Sequence, residues 1–596
     1  MFKNSLRLAT AVTLFGLTPL SAKNRTIDGS RNAFDDLGTA GQPFLRLTPA
    51  AYGDGLNTLA GASRSNPRTI SNAVARQTGA RPNQRQGSDY IWQWGQFIDH
   101  DLTLSEPNEE EPAVIRVPFG DPLFPIIPLN RTKSEQDVFG VRQQINSITP
   151  FLDASMVYGS DDERARALRS FRGGRLRVDV ENMMPFNDTD LHMDVMGPVP
   201  QTLLRLSGDV RANEQPGLTA LHTIFVREHN RWADELRAEN PRWSDENLYQ
   251  AARKRVGALV QSITYNEWLP ALIGSYAPDV DALRYDQRVD PRVSNEFATA
   301  FFRLGHTMVS PQLMRIRNDD FCDDVPLSRL RDIFFRPGTM EDGPTMELIL
   351  KGMANQLHED VDTGVTEELR DFLFGQPGMG GLDLAALNIQ RGRDHGLGDY
   401  NSTREFFGLE CLHDWDRVTD DSDLAQALSA VYPDMTNVDL WVGALSEDPS
   451  GDSSLGELLS VSLASEFRRL AMADRFFYRW DFALTDAEVN EIEATTLADV
   501  IQRNTNLTSL QDNIFFIPRV EETPSLKMAR SGAEMEFTFY NEPGEDIRLM
   551  ESPDLKSWMP MDLEDADGQL TARFRRSVAM EGPLADQWFF QVVRAE

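Results

Sequence analysis

Apolar residues recur at helical spacing through most of the chain up to about residue 518. The sharpest run, Trp92-Gln93-Trp94-Gly95-Gln96-Phe97-Ile98-Asp99-His100-Asp101-Leu102-Thr103-Leu104, predicts a helix over about 89–104. On it Gln96, Asp99 and His100 stand three and four positions apart and share one face, whereas Asp101 points elsewhere. Further periodic runs predict helices over 161–171, 218–239, 297–309, 384–393, 424–431, 455–476 and 486–503. A helix pair is expected across 245–275, one member ending at Trp268-Leu269-Pro270, and Pro216 sits where proline commonly opens a helix. Residues 24–90, rich in Gly, Asn, Arg and Pro, read as an arm wrapping the surface with short helices; 106–130, acidic and then Pro-rich, exclude a long helix. After Pro518 the pattern changes: 534–540 and 587–593 carry aromatic and β-branched residues between Gly, Pro and Asp turns. The expected fold class is mainly α, with a large helical domain over 23–520. A small all-β C-terminal domain over 525–596 is joined to it through Glu521-Glu522-Thr523-Pro524.

A chain of 596 residues has room for these two domains, and 41% hydrophobic with 25% charged residues is an ordinary globular composition. The formal charge of −33 is spread along the whole chain, a surface that repels nucleic acid and anionic lipid. The first 22 residues have the form of a signal peptide. Lys3 and Arg7 precede a mostly apolar Leu8 to Leu20, and Ser21-Ala22 offers small residues for cleavage. A secreted or extracytoplasmic protein is expected. No later stretch reaches the roughly 18 apolar residues of a membrane helix. With Cys322 and Cys411 the only cysteines, a single bridge or two separate thiols are the alternatives, and no disulfide framework exists.

Candidate chemistry concentrates in a few places. A polar triplet on one side of the 89–104 helix and a lone carboxylate on another suit two adjacent ligands; a merely polar stripe is the competing reading. In Thr149-Pro150-Phe151-Leu152-Asp153-Ala154-Ser155 the alternate residues Thr149, Phe151, Asp153 and Ser155 can aim hydroxyl, carbonyl and carboxylate oxygens at one point. Such an all-oxygen set suits calcium, and a plain loop is the alternative. Arg303 and His306, and likewise Asn388 and Arg391, are pairs three residues apart that share helix faces.

Five separated segments, Gly95 to Thr103, Thr149 to Ser160, Arg211 to Asn230, Arg303 to Thr307 and Asn388 to His395, together resemble the animal-type haem peroxidases, in that family's order. The resemblance runs from about 25 to 518. It implies a large helical haem-peroxidase domain that binds haem b and calcium, reduces hydrogen peroxide, and oxidises halide, thiocyanate or small organic donors through a ferryl intermediate. It implies His100 as the distal histidine with Gln96 beside it, and Arg211 as the distal arginine. Asp99 and Glu214 match the carboxylates that become ester-linked to haem. Gln215 stands where one member carries a methionine for a third link, so that link is not expected. His306 matches the proximal iron ligand, Asn388 the acceptor for its other ring nitrogen, and Arg303 and Arg391 the partners of the haem propionates. Asp101 joins Thr149, Phe151, Asp153 and Ser155 in the family's calcium site.

The remaining histidines, His192, His222, His229, His358, His395 and His413, are read as structural. The related fatty-acid dioxygenases are disfavoured because they place a tyrosine three residues before the proximal histidine, where Arg303 stands here. A peroxinectin-like adhesion protein, using the haem domain as a scaffold, is the non-enzymatic alternative. The C-terminal β segment is a candidate for envelope or carbohydrate binding. The low cysteine count departs from the disulfide-rich animal members and, with the leader, points to a bacterial exported protein.

Overall fold

The computed structural model describes residues 23–318, 327–336, 338, 342–376 and 379–517, and beyond these only the backbone of several short strands. The expected signal peptide, the expected 521–524 linker and Cys322 lie outside the described residues. Contacts divide the chain at Ile517/Pro518 into two compact units. The first is mainly helical. In chain order its leading helices are α1 (Pro67–Val74), α2 (Tyr90–Leu102), α3 (Ser155–Tyr158), α4 (Asp162–Ala167), α5 (Pro216–Glu239), α6 (Asp245–Ile263), α7 (Leu269–Ile273), α8 (Asn295–Thr299) and α9 (Gly305–Met308). They are followed by α10 (Leu330–Ile333), α11 (Gly343–Met353), α12 (Glu367–Arg370) and α13 (Leu384–Asp394), then by further helices including Ser422–Val431 and Glu457–Ala473.

Helix α2 forms the centre, packed against α3, α5 and α9. It is buried nearly all round, with the polar Gln93, His100 and Asp101 buried among its apolar residues. Tyr90, Trp94, Phe97, Ile98 and Leu102 are fully buried, and the least buried positions are Gly95, Gln96 and Asp99. The Trp94, Phe97 and Phe225 rings lie 5.1–5.7 Å apart, and Trp94 Nε1 donates to Thr264 Oγ1. Helix α5 opens as its sequence dictates: Pro216 takes the first turn, and the Gln215 side chain caps it by accepting from Gly217 N at 2.7 Å. At α6 the Ser244 hydroxyl accepts from Asn247 N, and Asp245 and Glu246 face the positive end of the helix dipole.

Three expected helices differ in detail. The 245–275 pair is one continuous run, in which a π turn over Thr264–Trp268 joins α6 to α7, and Pro270 lies in the first turn of α7 rather than ending a helix. Such bulges collect at functional positions; this one presents Trp268 to the site below. The 297–309 helix is broken into α8, a 3-10 turn over Phe301–Leu304, and α9. The 486–503 run splits at Thr495-Thr496, because Thr496 starts a new helix with its own capping box to Asp499. Between 106 and 136 only short strand pairs occur, such as Pro107–Pro112 with Asn130–Thr132. In the second unit Lys527–Ser531 pairs with Glu534–Thr538, and Ile547–Ser552 pairs with Phe589–Arg594, all antiparallel.

Candidate active site

A cleft enclosing about 1560 Å³, its open mouth included, runs along α2. In its wall, Trp92, Gly95, Gln96, Asp99 and His100 of α2 and the following Thr103 form one stripe at three- and four-residue intervals. Arg303 and His306, from the segment around α9, line the same cleft. Arg211 and Glu214 enter from the turn before α5; Trp268, Phe302, Phe334, Leu369 and Leu373 make the apolar remainder.

On the α2 side, His100 is 3% exposed and its Nδ1 has no hydrogen-bond partner, the nearest group being Asp209 Oδ1 at 3.5 Å. Burial first, and then the Arg211 charge, push its pKa well below the usual histidine value, so the ring is neutral. Asp209 also takes two parallel hydrogen bonds from Arg211, Nε to Oδ1 at 2.9 Å and Nη2 to Oδ2 at 2.8 Å, and Arg211 Nη2 donates further to the Thr103 carbonyl at 2.7 Å. Burial alone would raise the Asp209 carboxyl; Arg211 and His100 outweigh it and hold Asp209 well below the usual carboxylate range. The same ion pair raises Arg211 against its own burial.

Asp99 Oδ1 accepts from Thr103 Oγ1 at 2.8 Å, and its Oδ2 lies 3.7 Å from Arg211. Loss of water raises its pKa, and Arg211 offsets part of the rise. Glu214 is pushed up to about 7, again by burial against Arg211. Gln96 Oε1 accepts from Gln215 Nε2 at 3.1 Å.

In the same cleft, His306 sits in α9 with its Nδ1 2.8 Å from Asn388 Nδ2, and Arg303 Nη1 donates to Asn388 Oδ1 at 3.1 Å. The amide is therefore turned opposite to the expected orientation, with its nitrogen rather than its oxygen facing the ring. The reason is Arg303, which has no carboxylate within ion-pair distance among the described residues and takes the amide oxygen instead. Burial and then the like charge of Arg391 lower the Arg303 pKa to about 10, and burial with Arg303 lowers His306 to about 3. Arg391, expected to share the role of Arg303, does not line the cleft: its Nη1 donates to Asn130 O, Thr132 Oγ1 and Asp394 Oδ2.

The animal haem peroxidase family profile matches residues 24–515. Mouse myeloperoxidase is 35% identical, with 84% of this chain and 77% of that protein covered. Peroxinectin A of Dictyostelium discoideum is 32% identical, covering 83% of this chain and 95% of the relative. The solved structure of peroxidase A from the same organism superposes with a TM-score of 0.78 at 31% identity, over 83% of this chain and all of that one. This chain belongs to the animal haem peroxidase family. It is a haem-dependent peroxidase, and hydrogen peroxide with a small donor is what that activity uses. A plant fatty-acid α-dioxygenase from Arabidopsis thaliana, at 22% identity and a TM-score of 0.71, shares the fold alone.

The cleft suits the haem of an animal haem peroxidase. It has a largely apolar lining, two imidazoles in that lining, and in Arg303 a half-buried cation without an anionic partner among the described residues.

Behind α2 lies a second cluster. Asp101 Oδ1 accepts from Ser155 Oγ at 2.7 Å and its Oδ2 from Ala154 N at 3.0 Å; Thr149 Oγ1 donates to Asp153 Oδ1 at 3.3 Å. Asp153 Oδ2 is buried with no partner. Burial and then the neighbouring Asp153 push Asp101 up to about 8, and burial likewise raises Asp153. Two buried carboxylates facing each other with an orphaned oxygen are what a divalent cation relieves.

Asp209 is the site residue that sequence reading missed. Its backbone N donates to Met156 O at 3.0 Å, just past the Asp153–Ser155 loop. Gly208 allows this approach, since a Cβ there would lie 2.4 Å from the Ser155 carbonyl oxygen. The Gly-Asp-x-Arg spacing of 208–211 was visible, yet nothing in it shows that the aspartate folds back on the histidine of another helix. Among the other histidines, His229 is held by Tyr158 and Gly174, and His395 by Thr132 and Thr299, as structural residues are.

Proposed function

We propose that the protein is a secreted peroxidase that reduces hydrogen peroxide and oxidises halide, thiocyanate or small organic donors. The carrying observation is the neutral, buried His100 backed by the Asp209–Arg211 pair in a cleft that His306 also lines. Haem, when bound, supplies the redox centre at which peroxide is reduced; His306 would hold its iron. His100 takes the proton from one peroxide oxygen and returns it to the departing one, which requires an imidazole that begins neutral. Arg211 stabilises negative charge on the departing oxygen, and Asp209 fixes the guanidinium plane in which it does so. Gln96, beside His100 on the same stripe, orients small ligands.

Asp99 and Glu214 are the candidates for ester links to haem; Glu214 with a pKa of about 7 has a protonated fraction near neutrality. Arg303 would meet a propionate, which frees the Asn388 oxygen to accept from His306 Nδ1–H, the tautomer an Nε2 ligand requires. A propionate role for Arg391 would require it to leave Asp394. Calcium would bind Asp101, Thr149, Phe151, Asp153 and Ser155. Residues 23–520 form the peroxidase domain and 525–596 a small β domain, a candidate for envelope or carbohydrate binding.

The test is absorption spectroscopy of the purified protein supplied with haem, before and after peroxide. A Soret band that changes with peroxide in the wild type, and changes far more slowly in His100→Ala, is expected. No Soret band overturns the reading, and a Soret band unmoved by peroxide favours the adhesion-scaffold alternative. Haem that resists acid–acetone extraction after turnover, but is released from Asp99→Val and Glu214→Gln, supports the ester links; full extraction rules them out.

A further inference from the structure

Two tryptophans line the cleft, and they are held differently. Trp268 donates its indole N–H to the backbone carbonyl of Ile91 at 2.8 Å. Trp92 donates its own to Asp89 Oδ1 at 2.9 Å, and Ser310 Oγ donates to the same oxygen at 2.8 Å. Asp89 precedes α2 at the position where an aspartate ordinarily caps the helix, yet its side chain makes no cap bond. It is fully buried, and its Oδ2 has no partner. A buried carboxyl that leaves one oxygen unsatisfied and forgoes the helix amides is costly to fold. A core tryptophan needs no such partner, as Trp268 shows.

We infer that Trp92 is a redox-active residue of this peroxidase, oxidised by one electron with Asp89 as its proton acceptor. The inference rests on the peroxidase reading, which supplies the oxidant. Reduction of hydrogen peroxide to two waters consumes two electrons and two protons, and Trp92 provides one of those electrons. As the electron leaves the indole, the Nε1–H bond breaks and the proton moves along the 2.9 Å hydrogen bond onto the Asp89 carboxylate, leaving a neutral indolyl radical beside a carboxylic acid. The oxygen that receives the proton is Asp89 Oδ1, already fixed by the Trp92 and Ser310 hydrogen bonds, and the N–H of an oxidised indole is acidic. An electron from a one-electron donor of the phenol class, with return of the proton from Asp89 to Nε1, restores both groups, and the phenol's own proton passes to solvent. Trp92 lies eight residues before His100, about 12 Å along the helix axis. The radical is thus kept apart from the position where peroxide reacts, while remaining in the wall of the same cleft.

Freeze-quench electron paramagnetic resonance of the holoenzyme, mixed with one equivalent of hydrogen peroxide and recorded beside its absorption spectrum, tests this. The expected result is an organic radical signal that narrows when the protein carries ring-deuterated tryptophan. It is lost in Trp92→Phe and retained in Trp268→Phe. In Asp89→Asn, which keeps the shape and the hydrogen-bond acceptor but not the base, the deprotonated indolyl band disappears. A signal insensitive to the label, retained in Trp92→Phe or lost in Trp268→Phe overturns the proposal. Should Trp92→Phe fail to bind haem, Asp89→Asn decides, and an unchanged deprotonated radical there refutes it. A peroxide-driven absorption change without any tryptophan signal refutes this inference alone; no absorption change at all refutes the peroxidase reading instead.

Discussion

The two walls of the cleft are built in opposite ways. The α2 wall is one regular helix, buried around its circumference, on which the functional stripe and the Asp101 carboxylate differ only in angular position. The His306 wall is three short pieces, α8, a 3-10 turn and α9, of which α9 has only four residues. Regular geometry lets one element carry several jobs at fixed spacing: Asp99 and His100 face the cleft, and Asp101 faces the 149–155 loop. A four-residue helix cannot orient a side chain by itself, so His306 depends on Asn388 from α13. Function on the first wall follows from periodicity, and on the second from a hydrogen bond between distant segments.

That difference can be broken at either wall. On the α2 side His100→Ala removes the proposed proton acceptor, and the rate of the peroxide-driven absorbance change is expected to fall by about 10²–10⁴-fold in stopped-flow. Asp209→Asn leaves His100 in place but weakens the grip on Arg211, and the same rate should drop about 10–100-fold with haem still bound. On the opposite wall Asn388→Ala should act on the cofactor instead, weakening haem retention about 10–100-fold in transfer to apomyoglobin. Equal effects of the last two on haem retention would erase the distinction between the walls.

The smallest effect is on the side of α2 that carries Asp101. The Asp101 pKa of about 8 lies above the ordinary 3.8 of an unfolded aspartate. Its stabilising contribution is therefore complete at low pH and is lost as pH rises through about 8. Chelated protein should lose thermal stability progressively across that window in calorimetry, and added calcium should flatten the loss. Because Asp209 N bonds Met156 O next to this loop, chelation should also slow the peroxide reaction modestly.

The helical body, the α2 stripe and the pairing of His306 with Asn388 were legible because they follow spacing or the order of five recognisable segments. The breaks were not. The π turn at Thr264–Trp268 keeps the apolar pattern of its neighbours, and the split at Thr496 rests on a capping threonine inside an otherwise helical run. Asp209 escaped because its function depends on where a loop folds back, which needs Gly208 against the Ser155 carbonyl. Arg391 matched the family by position, but Asp394 one turn on and Thr132 from a distant strand claim its guanidinium.

The account turns on His100 being neutral before peroxide arrives. The direct measurement is the pH dependence of the peroxide-driven absorbance change in a Glu214→Gln background, which removes the carboxyl that titrates near 7. With His100 held well below the ordinary histidine value of 6.5, the rate should stay level as pH falls through 6.5 and decline only in more acidic solution. A rate that halves near pH 6.5 would show an ordinary, solvated histidine and contradict the buried base on which the mechanism depends.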